Sequence, residues 1–150
     1  MKASTDKFKA INSILSKARE GASFAFLSPW YYWLAEPDFT TALPHQKRPD
    51  GTDRMGTEAP VSSISDAFFG KTVDELATAL KDAPQEAYLN REYFAVVDEQ
   101  SQQDRTVMLC RVTKEGELLR VRTKVEESAQ LLAGMTVAKP YWADVFEDGP

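Results

Sequence analysis

Two strand-like segments in the C-terminal half of the sequence constrain the fold more than any other feature. Thr106–Val112 and Leu118–Thr123 are rich in apolar and β-branched residues, and the polar stretch KEGE lies between them. A third segment, Glu92–Asp98, is aromatic, β-branched and almost continuously apolar, which predicts a strand at the centre of a sheet. We therefore expect a β-hairpin within a mainly antiparallel sheet of about three to five strands.

The register of this hairpin follows if Glu115 and Gly116 are its two turn residues. The cross-strand pairs would then form one apolar face: Val112 with Leu119, Cys110 with Val121, and Met108 with Thr123. The other face would carry Arg111 beside Arg120, with Arg122 near Leu109. A shift by one residue would mix the arginines into the core face, so this register is preferred.

Helical patterns flank the strands. An apolar stripe with Thr5 as N-cap predicts a first helix to about Arg19, which Gly21 would end. A capping box of Thr72 and Glu75 predicts a second helix. Shorter predictions cover a strand at 24–27, a helix at 28–35, a polar loop at 98–105, a helix at 125–134 and a terminal helical turn at 140–146. The predicted class is α+β (or α/β), with helices packed on one face of the sheet.

The length of 150 residues favours one domain over 1–150. Residues 36–63 show no hydrophobic period and contain Pro37, Pro44, Pro49 and Pro60, which predicts a long loop. Such a loop is a lid, a binding loop or a disordered insertion. Disorder or a plain surface excursion is the favoured alternative.

The formal net charge of −5 argues against nucleic acid and against an anionic membrane surface as partners. No apolar run approaches the ~20 residues that span a bilayer, and the N-terminus lacks the apolar run of a signal peptide. Cys110 is the only cysteine in the sequence, which predicts a buried, inert thiol and a reducing, cytoplasmic compartment.

Motifs for metal, nucleotide and redox cofactors are missing from the sequence. His45 is the only histidine, and the sequence has no GxGxxG, phosphate loop or GxSxG. The prediction is therefore a protein without metal or cofactor.

An aromatic segment, SPWYYWLAEPDF, is the first candidate for a site. On a short helix, Trp30 and Trp33 would share one face while Tyr31 and Tyr32 point elsewhere, so not all of them fit one core. Together with Phe39 they would line an apolar cleft under the 36–63 loop. The alternative is that the tryptophans are core and the tyrosines cover it.

Ionisable groups near this segment are Glu36, Asp38 and His45, the predicted proton-transfer residues of such a cleft.

The three hairpin arginines, Arg111, Arg120 and Arg122, are the second candidate, as substrate-binding residues. Like charges on neighbouring strands repel, so an acidic group between them would explain their presence. The acidic group would be a ligand carboxylate or an Asp or Glu of a covering helix. Alternatively, the arginines face only solvent. The structural alternatives are favoured.

The second half of the sequence contains four segments in this order: SDAFFGKTVDELATAL, YFAVVDEQSQQDRTVMLCRV, ELLRVRTKVEESAQLLAGMTV and YWADVF. This series resembles a family of small bacterial and fungal domains of unknown function, over about residues 65–146. The resemblance implies a small α/β fold and transfers no activity.

Two functions are therefore expected. The first is binding of a hydrophobic, natural-product-like small molecule, extending to a cofactor-independent cyclase or isomerase in a biosynthetic setting. The second is a protein-interaction or self-association module, such as a homodimer, anchored by exposed aromatic residues.

Overall fold

A computed structural model describes residues 2–24, 50–51, 60–61, 68–86 and 90–137 of the chain. In these residues four helices accompany a three-stranded antiparallel sheet, which confirms the predicted α+β class. The elements follow in this order: α1 Lys2–Phe24, α2 Val73–Lys81, β1 Tyr93–Val96, α3 Glu99–Asp104, β2 Thr106–Val112, β3 Leu118–Lys124 and α4 Val125–Val137.

The sheet has the order β1-β2-β3. Strand β2 is therefore central, and the prediction of a central strand at 92–98 is wrong within the described residues. The near-continuous apolarity of the 92–98 segment has another cause. Tyr93 and Ala95 contribute to the core on one face, while Phe94 and Val96 are half-buried on the other.

The core lies between the sheet and the helices α1 and α4. On the sheet side it contains Tyr93, Val107, Leu109 and Val121, whose face we call the helical face. Helix α1 contributes Ile14 and Ala18, α4 contributes Val125, and Leu131 and Leu132 pack against this cluster. Burying such aliphatic side chains stabilises the fold by about 1.5–3 kcal/mol each.

The predicted hairpin register is wrong by one residue. Leu109, not Cys110, is paired with Val121, and Val112 is paired with Leu118. The physical reason is the turn. Its loop has three residues, Lys114–Gly116, with Gly116 at φ +86° and the Thr113 N–H donating to the Glu117 carbonyl at 2.8 Å. A three-residue loop with a left-handed glycine is a common hairpin turn, and its odd length shifts the pairing.

Helix ends and one loop also differ from the prediction. Helix α1 begins before Thr5 and continues through Gly21, and α4 continues through Gly134. The polar stretch at 98–105 is helical, since Asp98 and Ser101 form a capping box around α3. The capping box of Thr72 and Glu75 at the start of α2 is confirmed.

The apolar stripe of helix α2 is only half-buried. Val73, Leu76, Ala77 and Leu80 are all half-buried, and no residue of α2 is fully buried. Leu80 packs with Phe68 against Ala83 in a separate small cluster.

The far end of the 36–63 segment is attached to α1. The Val61 N–H donates to Oδ1 of Asn12 at 2.8 Å, in a half-buried contact between residues 49 apart in the sequence. The strand predicted at 24–27 is wrong at Phe24, which is the last residue of α1. The rest of that strand, the helix at 28–35, most of the loop at 36–63 and the turn at 140–146 lie outside the described residues.

Candidate functional site

The sheet face opposite α1 and α4 combines apolar and cationic side chains. Phe94 and Val96 of β1 and Met108 and Cys110 of β2 lie beside Arg120 and Arg122 of β3. We call this surface the arginine face. One row of the sheet contains Phe94, Cys110 and Arg120, and the next contains Val96, Met108 and Arg122. The face is thus apolar on β1 and β2 and positively charged on β3.

Arg122 is held in a network. Its Nη1 donates to Oδ1 of Asp98 at 3.1 Å and to the Thr106 hydroxyl at 3.2 Å, while its Nη2 donates to the second Asp98 oxygen at 2.5 Å. Asp98 also accepts from the N–H and the hydroxyl of Ser101 at the start of α3. One carboxylate therefore caps a helix and binds a guanidinium through both oxygens.

This environment favours the charged form of Asp98. The hydrogen bonds from Arg122 lower the pKa of Asp98 most, the Ser101 hydrogen bonds lower it further, and partial burial opposes them. At the other end of α3, Asp104 accepts hydrogen bonds from Thr106 and Gln100, which lower the pKa of Asp104. The network fixes α3 to both β2 and β3.

Arg120 is held far less firmly than Arg122. Its Nη2 donates to Oδ2 of Asp74 at 3.2 Å, and the two side chains are 45% and 77% exposed. Asp74 lies in the first turn of α2, so this contact brings the start of α2 to the arginine face. Exposed ion pairs contribute about 0–1 kcal/mol.

Arg111 lies on the other face of the sheet. Its guanidinium is 5.6 Å from the centre of the Tyr93 ring, and Nε and Nη2 each lie 3.1 Å from Oε1 of Glu92. Burial is the largest of the effects that raise the pKa of Tyr93, and the charge of Glu92 adds to it. The three arginines therefore do not share one site, and each has a carboxylate of this chain beside it.

Cys110 is buried in the middle of the arginine face. Burial raises the pKa of the Cys110 thiol to about 12, against the opposing charges of Arg120 and Arg122. At neutral pH the thiol is protonated and is a weak nucleophile.

Sequence reasoning missed Arg91. Its guanidinium donates at 2.6–3.2 Å to four backbone carbonyls, those of Leu80 and Lys81 in the last turn of α2 and those of Ala83 and Pro84 just beyond the helix. Carbonyls at a helix C-terminus lack intrahelical partners, so a cation stabilises them. No local motif identifies such a residue, because the contact depends on the path of the chain between α2 and β1.

Asp98 was missed as well, although a signal existed. Asp98 and Ser101 have capping-box spacing, but Ser replaces the usual Glu or Gln and no apolar stripe follows.

The other predicted site residues lie outside the described residues. They are the predicted substrate-binding residues Trp30, Tyr31, Tyr32, Trp33 and Phe39 and the predicted catalytic residues Glu36, Asp38 and His45. Their roles stay predictions. In the part of the chain that is described, no three acidic, histidine or cysteine side chains gather as metal ligands. No described helix has the length and hydropathy to cross a membrane.

Comparison with known proteins adds no relative. No family model matches the chain, and neither the curated proteins nor the solved structures give a match. The resemblance over residues 65–146 therefore stays a prediction.

Proposed function

We propose that the protein binds a hydrophobic small molecule on its arginine face. The observation that carries this proposal is the pairing of half-buried apolar side chains with an exposed guanidinium on one sheet surface. Phe94, Val96, Met108 and Leu118 all retain some solvent exposure there, and Arg120 lies at their border. Ligand sites typically combine an apolar lining with a few polar groups that orient the ligand.

The helical face offers no comparable surface among the described residues. Val107 and Leu109 are almost fully buried under α1 and α4. An apolar ligand would therefore have to displace packed helices there, whereas on the arginine face it would cover side chains that are still partly exposed. Each Å² of apolar surface removed from water contributes about 25 cal/mol.

Leu118 and Leu119 allow a matched test of the site. They are neighbours on β3, both are half-buried, and they point to opposite faces of the sheet. In a screen of apolar small molecules by ligand-observed NMR, we expect hits to shift the amide signals of β1 and β2. Leu118→Ser should weaken binding several-fold and Leu119→Ser should leave affinity unchanged where the protein stays folded. Equal losses in both variants, or shifts confined to other elements, would refute the site.

Conversion of the bound molecule is a further part of the proposal. A cofactor-independent cyclisation or isomerisation would use Glu36, Asp38 or His45 as acid or base. Single substitutions Asp38→Asn and His45→Gln should then abolish product formation from a substrate identified in the screen while leaving its affinity within about twofold. Unchanged turnover in both variants would exclude Asp38 and His45 as the acid or base, and a wild type that forms no product would limit the protein to binding.

A second function, protein interaction or self-association, is favoured by two exposed apolar side chains. Phe69 is 40% and Val97 41% exposed, and large exposed apolar groups are typical anchors of interfaces. Sedimentation velocity across a range of concentrations tests it. Association that is lost in a Phe69→Ser, Val97→Ser double variant supports this function, and a monomer at every concentration contradicts self-association.

A further inference from the structure

We infer that the ligand of the arginine face is a hydrophobic carboxylate, and that Asp74 occupies the place of its acid group in the free protein. This inference rests on the proposed function and names the ligand class and the anchoring residue. Arg120 would bind the ligand carboxylate, and the side chain of Asp74 would be displaced into solvent.

The two arginines of the face differ in how easily they change partner. Arg122 binds both oxygens of Asp98 and the Thr106 hydroxyl, and its side chain is only 20% exposed. Among the described residues Arg120 contacts one carboxylate, through Nη2 to Asp74 Oδ2, and its side chain is 45% exposed. A guanidinium can hold a carboxylate through two parallel hydrogen bonds. Arg120 therefore has donors to spare for an incoming acid, whereas those of Arg122 are engaged.

Asp74 loses little when it leaves Arg120. Its carboxylate is 77% exposed, so water replaces the guanidinium as its partner. It also lies in the first turn of α2, where the helix dipole still favours its negative charge. The exchange leaves Arg120 with one carboxylate before and after binding, so no uncompensated charge is created.

The position of Arg120 fits an amphipathic acid. Phe94, Cys110 and Arg120 form one row across three strands, and neighbouring strands lie about 4.8 Å apart. The distance from the Phe94 end of the row to Arg120 is therefore roughly 10 Å, which suits a short acyl chain ending in a carboxylate. Met108 and Leu118 lie on either side of this row and would contact the same chain.

The experiment compares decanoate with decanol as probes by isothermal titration calorimetry, using the intact chain. We expect decanoate to bind the wild type more tightly than decanol. Asp74→Asn should tighten decanoate binding about two- to fivefold, because the competing carboxylate is removed. Arg120→Gln should weaken decanoate binding about tenfold, and neither variant should change decanol binding.

Asp82→Asn is the matched control, because Asp82 is also exposed and follows the end of the same helix. This substitution removes the same charge as Asp74→Asn. It should leave both affinities unchanged. If both probes bind equally, or if Asp74→Asn and Asp82→Asn give the same affinity for decanoate, the inference fails while the proposed site stands. If neither probe binds, or if both bind without shifting the amide NMR signals of β1 and β2, the proposed site fails and the inference fails with it.

Discussion

Arg122 and Arg120 lie two residues apart on β3 and point to the same face of the sheet, yet their surroundings differ sharply. Arg122 is tied to Asp98 through both guanidinium ends, and Asp98 also caps α3. In the part of the chain that the structure describes, Arg120 is paired only with Asp74, in an exposed contact. The residue type and the strand are the same, so the difference comes from what the rest of the chain brings to each position.

The difference separates a structural ion pair from an exchangeable one. Around Arg122, each group already fixed by the fold restrains the next, so little side-chain freedom remains to be lost when the pair forms. Around Arg120, two mobile side chains must be ordered for one hydrogen bond in high dielectric. We expect the first pair to contribute to stability and the second to be available for binding.

The largest effect should come from Asp98→Ala. This change removes the cap of α3 and both hydrogen bonds to Arg122, so the free energy of unfolding should fall by about 3 kcal/mol. Asp98→Asn, which keeps a capping side chain, should cost about 1 kcal/mol less. Urea denaturation followed by circular dichroism measures both. Identical losses would show that the cap contributes nothing.

Arg122→Gln should rank next, with a loss of about 2 kcal/mol. It removes the charge-assisted hydrogen bonds but leaves Asp98 bound to Ser101. The same denaturation experiment measures it. A loss of less than about 0.5 kcal/mol in the free energy of unfolding would mean that the Arg122 ion pair is no more structural than that of Arg120.

Acid should weaken the structural pair. The pKa of Asp98 is lower in the folded state than its ordinary value of about 3.9, so the unfolded chain binds more protons as the pH falls. The stability from Asp98 is therefore fully present above about pH 5 and is lost as the pH falls through the lowered pKa. Between about pH 6 and about pH 3, the free energy of unfolding should decline less steeply in Asp98→Asn than in the wild type. Parallel curves for the two proteins would exclude Asp98 as the cause.

Arg120→Gln should give the smallest effect, a change of less than about 1 kcal/mol in the free energy of unfolding. Thermal unfolding of this variant beside Arg122→Gln makes the comparison direct, because the two substitutions are chemically identical. A loss as large as that of Arg122→Gln would mean that Arg120 is a structural residue, and the proposed exchange of its partner would lose its basis.

Much of the fold was predictable because its signals are local. Strand β2 has the predicted bounds, and the capping box of Thr72 and Glu75 marks the start of α2. The hairpin register was not predictable, because β2 is apolar on both faces and Gly116 fits either loop length. Pairing in such strands is decided by the turn and by the helices that cover one face. Helix α3 lacks an apolar stripe and was missed for that reason.

The site was predictable only in part. The charge pattern of β3 indicated that Arg120 and Arg122 need acidic partners, and Asp74 and Asp98 provide them. Which carboxylate each arginine meets depends on contacts over 46 and 24 residues, and such contacts leave no trace in a local pattern. Arg111 was placed with the other two by the wrong register, whereas its side chain packs on Tyr93.

The buried thiol of Cys110 gives the molecule a built-in probe of opening. With a pKa of about 12 and no solvent exposure, it should resist alkylation while the sheet is closed. As the only cysteine in the chain, its labelling rate reports a single event, the transient uncovering of the central strand. A molecule bound across Phe94 and Arg120 should lie over this thiol and slow its labelling, so mass spectrometry of the alkylated fraction would detect occupancy without knowing what the ligand is.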